Sequence, residues 1–178
     1  MGASSIQQLL EQTADRRSSY GGGSAAALSC AFAAALVEKL AGSHAARFDT
    51  PVGDPARRRG ARLGRRTGSA ASARKLRACC TRLIEVDAQA FSRVVRAGAR
   101  QDQQALRRAL RVATDIPCQV GECAQQVLSI ARRIRARVSP NYRVDLRCAE
   151  ALARAAKQSA QALVAANRVW AKQIAARR

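Results

Sequence analysis

Two aspartates are the first candidates for chemistry, because each interrupts a stripe of apolar residues with helical spacing. Asp87 lies four residues after Leu83 and four before Phe91, and Asp145 opens the stripe of the last predicted helix. A buried carboxylate must be paired or hydrogen-bonded, so such a residue lines a wet cleft, meets an arginine or caps an element. For Asp87 both an ion pair and a site role stay open. Asp145 also suits the first turn of a helix, where negative charge is favourable.

A run of three glycines, Gly21-Gly22-Gly23, precedes Ser24 and a long stretch of small residues. The run can be a flexible linker, a tight turn or a backbone cradle for a ligand. Ser24 is a natural N-cap for the helix that follows. A linker joins units that fold independently. The short helix before the glycines is too small to be such a unit, so we favour a sharp turn between two helices.

Other polar and aromatic residues have ordinary structural interpretations beside functional ones. Asn167 lies on the apolar stripe of the last helix and suits a hydrogen bond between helices. Tyr142 and Trp170 can stack on a planar ligand or pack in the interior. The single histidine, His44, is interpreted as a surface residue. The six cysteines show no C-x-x-C spacing, which favours free thiols and makes a metal site unlikely.

The elements that position these residues are predicted to be helices. The chain has 178 residues, 48% of them hydrophobic and only 3% aromatic, and its core of alanine, leucine and valine suits closely packed helices. We predict an all-α, antiparallel array of about five or six helices in a single domain over residues 1–178. The predicted segments are 5–14, 24–41, 70–100, 101–114, 117–138 and 143 to near the end, with a mobile Arg/Gly/Pro-rich loop at 42–69.

The formal charge of +20 is the strongest compositional feature. It predicts attraction to polyanions, nucleic acid included, although a global arginine bias is the favoured explanation. No apolar run is long enough to span a bilayer without interruption, since Ser29, Glu38 and Lys39 break the stretch from Ala25 to Leu40. The amino terminus has no signal pattern. We therefore expect no membrane association and a cytoplasmic location.

Four segments, in order, resemble motifs of the formiminotetrahydrofolate cyclodeaminase and methenyltetrahydrofolate cyclohydrolase family. The resemblance covers about residues 5–170 apart from the arginine-rich loop, and Tyr20 stands where the family has a proline before the glycines. The four segments are SSYGGGSAAALSCAFAAALVEKLAG from Ser18, LIEVDAQAFSRVVRA from Leu83, ATDIPCQVGECAQQVLSIA from Ala113, and NYRVDLRCAEALARAAKQSAQALVAAN from Asn141.

The resemblance implies a helical homodimer that acts on a reduced folate, with no metal and no cofactor beyond the tetrahydrofolate substrate. The implied reaction is cyclodeamination of 5-formiminotetrahydrofolate to the 5,10-methenyl form, or hydrolysis of the methenyl form to 10-formyltetrahydrofolate. A basic rim would attract the glutamate tail, which often carries several glutamates. The alternatives are a divergent, non-catalytic family member and a basic helical module that binds polyanions or nucleic acid.

The resemblance also implies roles for the residues singled out above. Carboxylates in a largely apolar cleft would transfer protons and stabilise the cationic methenyl group. Backbone N–H groups at the start of a helix would bind a carboxylate or carbonyl oxygen. The implied catalytic residues are Asp87 and Asp145, and the implied substrate-binding residues are Gly21, Gly22, Gly23, Ser24, Asn141 and Asn167.

Overall fold

The computed structural model describes residues 6–47 and 66–176, and this part of the chain consists of five α-helices without a strand. Two 3-10 turns, Arg135–Arg137 and Pro140–Tyr142, connect the last two helices. The all-α prediction is therefore confirmed. The helices are α1 (Ile6–Ala14), α2 (Gly22–Arg47), α3 (Arg66–Ala99), α4 (Gln103–Ile134) and α5 (Arg143–Ala176).

The central element is α2, which packs against α3, α4 and α5. Short connections join α3 to α4 and α4 to α5, and the helices within each pair pack against each other as antiparallel neighbours. Small side chains on α2 let the other helices approach closely. Fully buried examples are Ala27, Cys30, Ala33, Ala34 and Val37.

The segment Gly22–Gly42 of α2 is long and apolar enough to cross a membrane by length and composition. Half of it is buried inside the bundle, as expected of a helix that forms the core of a folded domain. Its alanines and Cys30 contribute to one continuous apolar cluster with side chains of α3, α4 and α5.

Two predicted boundaries are wrong. The loop predicted at 42–69 is shorter, because α2 continues to Arg47 and α3 already begins at Arg66. Its central part, 48–65, lies outside the described residues, together with the arginines at 57–59. The helices predicted at 101–114 and from Pro117 onward form one continuous helix, α4, with Pro117 in its interior.

Pro117 is accommodated because α5 supplies the hydrogen bond that the proline ring removes. A proline inside a helix has no N–H to donate to the carbonyl four residues earlier, which here is that of Ala113. The side-chain amide of Asn167 on α5 donates to this carbonyl at 2.9 Å. The predicted helix-to-helix hydrogen bond of Asn167 is therefore confirmed, and it keeps α4 continuous.

Ionic contacts reinforce the helix pairs. Glu38 on α2 accepts hydrogen bonds from Arg74 and Arg77 on α3, each at 2.8 Å. These two arginines lower the pKa of the Glu38 carboxyl, with Arg77 contributing more. A second carboxylate, Glu150 on α5, is buried and pairs with Arg135 and with Arg154.

All six cysteines lie within the described residues and are free thiols, as predicted. Cys79 and Cys123, on the facing helices α3 and α4, are in contact, with their Sγ atoms 3.9 Å apart. Burial raises the pKa of the Cys79 thiol, so this pair favours the protonated form.

The pairing of Asn167 with the carbonyl freed by Pro117 predicts an energetic coupling between these two positions. Asn167→Ala should lower the free energy of unfolding by about 1–3 kcal/mol, because a buried carbonyl loses its partner. In the Pro117→Ala background the loss should be smaller by roughly 1 kcal/mol, since a backbone N–H at position 117 replaces the amide. Urea denaturation of the four proteins measures the coupling, and equal losses in both backgrounds would contradict it.

Candidate functional site

A cavity of about 170 Å³ lies beside the start of α2, where the turn before α2 meets α3, α4 and α5. Within residues 6–47 and 66–176, Asp87 is the only charged residue that lines it. The sequence has three Phe, two Tyr and one Trp, and three of these, Tyr20, Phe91 and Trp170, line the cavity. The remaining lining residues are Ser18, Ser19, Gly21, Gly22, Gly23, Val94, Leu110, Ala113, Pro117, Leu163 and Asn167.

The carboxylate of Asp87 sits directly against the first turn of α2. The Ser24 hydroxyl donates to Oδ2 of Asp87 at 3.0 Å. A Cβ at Gly23 would overlap the Asp87 carboxyl group, so only glycine allows this approach. The carboxyl group thus accepts a hydrogen bond from Ser24 at the positive end of the α2 dipole.

Burial raises the pKa of the Asp87 carboxyl above its ordinary value, because the largely apolar cavity disfavours the charged form. The hydrogen bonds from Ser24 act in the opposite direction and are the smaller effect. A half-buried carboxyl group with a raised pKa, facing a cavity, is suited to accept and return a proton.

Most of the predicted site residues come together at this cavity. Gly21, Gly22, Gly23, Asp87 and Asn167 all line it. Ser24 lies directly behind Asp87 and is almost fully buried.

Asn141 and Asp145 do not belong to this cavity within one chain. Asn141 lies in the 3-10 turn before α5, and Asp145 lies in the first turn of α5, where it pairs with Lys39 at 3.0 Å. Lys39 is 15 positions from Ser24 on α2, or about 22 Å along the helix axis. Asp145 therefore occupies the first turn of a helix, which is the structural role that was considered for it.

The prediction that N–H groups at the start of α2 bind an oxygen of a ligand stays a prediction. The structure adds the carboxyl group of Asp87, which lies against the first turn of α2 and accepts a hydrogen bond from the Ser24 hydroxyl. The requirement for glycine at position 23 comes from this close approach.

Tyr20 and Phe91 are lining residues to which the sequence interpretation gave no binding role. The spacing of Phe91 from Asp87, four residues along α3, was the available signal, since it places both on one face. Trp170 was considered as a stacking residue and does line the cavity. Tyr142 does not line it, because its ring lies 5.7 Å from the Lys39 ammonium group at the other end of α2.

The sequence model for formiminotransferase-cyclodeaminase matches residues 5–175. The chain belongs to this family. A crystal structure of formiminotetrahydrofolate cyclodeaminase from Thermotoga maritima superposes with a TM-score of 0.77 at 21% sequence identity, and it covers 92% of this chain and 78% of the other. No curated protein sequence matches the chain.

The described part of this family member contains no group of three or more His, Cys, Asp or Glu side chains that could hold a metal ion. The described lining of the cavity offers the Asp87 carboxyl group, the Asn167 amide, aromatic surfaces and the hydroxyl groups of Ser18, Ser19 and Tyr20, with the Ser24 hydroxyl behind Asp87. An apolar pocket of this kind suits a flat, conjugated ligand with a cationic or hydrogen-bonding group near Asp87.

The close approach at Gly23 predicts that Gly23→Ala lowers the free energy of unfolding by about 1–3 kcal/mol, because the added methyl group displaces the Asp87 carboxyl group. Gly22→Ala is the matched control, since its Cβ would meet Leu163 only at ordinary contact distance, 3.6 Å. That control should be neutral or more stable by up to about 1 kcal/mol. Chemical denaturation measures both, and equal effects would contradict the interpretation.

The raised pKa of Asp87 predicts a pH-dependent stability difference between the wild type and Asp87→Asn. Above the ordinary value of 3.8, the folded protein holds this proton longer than the unfolded chain does. The contribution of Asp87 to the free energy of unfolding therefore falls as the pH rises, up to the pKa of the folded state. Asp87→Asn should lack this fall. Unfolding of both proteins between pH 4 and pH 8 measures it, and parallel curves would refute it.

Proposed function

We propose that this protein acts in one-carbon metabolism on a reduced folate. The reaction is cyclodeamination of 5-formiminotetrahydrofolate to 5,10-methenyltetrahydrofolate, or hydrolysis of the methenyl form to 10-formyltetrahydrofolate. The observation that carries the proposal is Asp87, a half-buried carboxyl group that faces an aromatic cavity in a member of the formiminotransferase-cyclodeaminase family.

Both reactions need a group that accepts one proton and delivers another. In cyclodeamination N10 attacks the formimino carbon, N10 loses its proton, and the departing ammonia gains one. In hydrolysis water attacks the methenyl carbon and gives a proton to a base. The bond between that carbon and N5 then breaks, N5 gains a proton, and the hydroxyl group loses its proton to form the formyl carbonyl. Asp87 performs this transfer, and its ionised form stabilises the positive charge of the methenyl group in a cavity with few competing charges.

The shape of the cavity indicates how the substrate binds. Tyr20, Phe91 and Trp170 provide aromatic surfaces for the conjugated ring system, which fits a mostly apolar space of about 170 Å³. Among the described residues, no lysine or arginine lines the cavity. The p-aminobenzoyl-glutamate end therefore extends towards solvent, where the net charge of +20 attracts its carboxylates, including those of a polyglutamate tail.

The proposed assembly is a cytoplasmic homodimer. Asp145 and Asn141 lie far from Asp87 in one chain, so a direct role for them in the same reaction requires that a second subunit present them. The catalytic assignment within a single chain rests on Asp87. Asn167 lines the cavity and donates a hydrogen bond to the backbone carbonyl of Ala113.

Two assays test the proposal: ammonia release from 5-formiminotetrahydrofolate and loss of the methenyl absorbance. The wild type should accelerate at least one, and Asp87→Asn should reduce its kcat by roughly 100-fold or more, as expected for a lost general acid or base. Asp115→Asn, which neutralises an exposed carboxylate on α4, is the matched control and should retain activity.

Binding is measured separately from turnover. Trp170 is the only tryptophan and lines the cavity, so its fluorescence reports directly on occupancy. Saturable quenching by tetrahydrofolate without either reaction would favour a non-catalytic family member. Absence of both quenching and turnover would overturn the proposal.

A further inference from the structure

The hydroxyl group of Ser24 has two acceptors within reach and only one hydrogen. Its Oγ lies 3.0 Å from Oδ2 of Asp87 and 3.0 Å from the backbone carbonyl oxygen of Ile84. Both acceptors are on α3, three residues apart, and Ser24 is only 1% exposed. A single O–H group donates fully to one of two such acceptors at a time.

The two arrangements correspond to the two protonation states of Asp87. When Asp87 is ionised, the Ser24 hydroxyl donates to Oδ2. When Asp87 is protonated at Oδ2, its O–H donates to Oγ of Ser24, and the Ser24 hydroxyl turns to the Ile84 carbonyl. Every hydrogen has an acceptor in both states, and only one hydroxyl rotation separates them.

We propose that Ser24 is a positioning residue that lets Asp87 hold and release a proton without leaving its place. This inference rests on the proposed function. It also revises the role of Ser24, which was predicted to bind substrate and is here proposed to support the catalytic carboxyl group. A rotating hydroxyl allows the same carboxyl group to act as base in one step and as acid in the next, which both folate reactions require.

Ser24 donates a hydrogen bond to the Asp87 carboxyl group, and the pKa of that group is set by this donor together with the larger effect of burial. From α4 and α5 the cavity receives only apolar side chains and the neutral amide of Asn167. On α3 itself, Phe91 and Val94 line the cavity, and the turn before α2 contributes the phenol of Tyr20 as the one other titratable lining group. No lysine or arginine among the lining residues competes with the Ser24 donors.

The test measures the titration of Asp87 directly, by carbon-13 NMR of the aspartate carboxyl groups, with Asp87→Asn to assign the signal. Ser24→Ala should raise the pKa of Asp87 by about one unit, because the ionised form loses a donor. Ser24→Cys, similar in size with a weak donor, should do the same. Ser24→Thr, which keeps the hydroxyl, should restore the wild-type value. Ser29→Ala, which removes a hydroxyl bonded to Ala25 on the same helix, should change nothing.

The kinetic readout separates positioning from a purely structural effect. Ser24→Ala should lower kcat by roughly 10- to 100-fold, with KM little changed, and should move the acid limb of the pH profile upward. In the Asp87→Asn background, Ser24→Ala should add almost no further loss. An unchanged Asp87 titration in Ser24→Ala and Ser24→Cys, or an equal loss in both backgrounds, would overturn the inference.

The two proposals fail in different ways. If neither folate reaction occurs but the Asp87 titration shifts in Ser24→Ala, the proposed function fails and the Ser24–Asp87 coupling stands. If Asp87→Asn abolishes turnover but Ser24→Ala leaves the titration unchanged, the proposed function stands and the role of Ser24 is wrong.

Discussion

The contact between the Asp87 carboxylate and the first turn of α2 is the interaction around which the site is organised. It brings a negative charge to the positive end of the most buried helix, and it requires glycine at position 23, because any side chain there would occupy the place of the carboxylate. The same contact stabilises the helix start and holds a proton-transferring group at the cavity. Structure and proposed chemistry therefore depend on one pair of neighbouring elements.

A second interaction between helices, from α5 to α4, also shapes the lining of the cavity. Pro117 removes a hydrogen bond from α4, and Asn167 of α5 restores it through Ala113. Pro117, Ala113 and Asn167 all line the cavity, so the irregular part of α4 faces the site. A helix interior tolerates proline here because a neighbouring helix supplies the missing donor, and this compensation joins α4 to α5 where the ligand would bind.

The predictions from sequence were right where local residue spacing decides the structure. They were wrong where a residue far away in the chain decides it. Ordinary helical spacing indicated the last helix and the stripe containing Asp87. The break predicted before Pro117 was wrong, because the compensating amide lies 54 residues away along the chain. The contact of Asp87 with the first turn of α2 was not predicted, because the position of Asp87 relative to α2 cannot be inferred from spacing within either helix.

The sequence by itself determined an all-helical chain with a small-residue core and a carboxylate on an apolar stripe, because helical periodicity and side-chain size are local properties. Only the tertiary structure decided which polar residues meet. It placed Asp87 beside Ser24 and three aromatic rings, and it placed Asp145 beside Lys39 at the other end of α2. The physical reason is that burial and hydrogen bonding depend on which helices pack together, and that packing is set by contacts far apart in the chain.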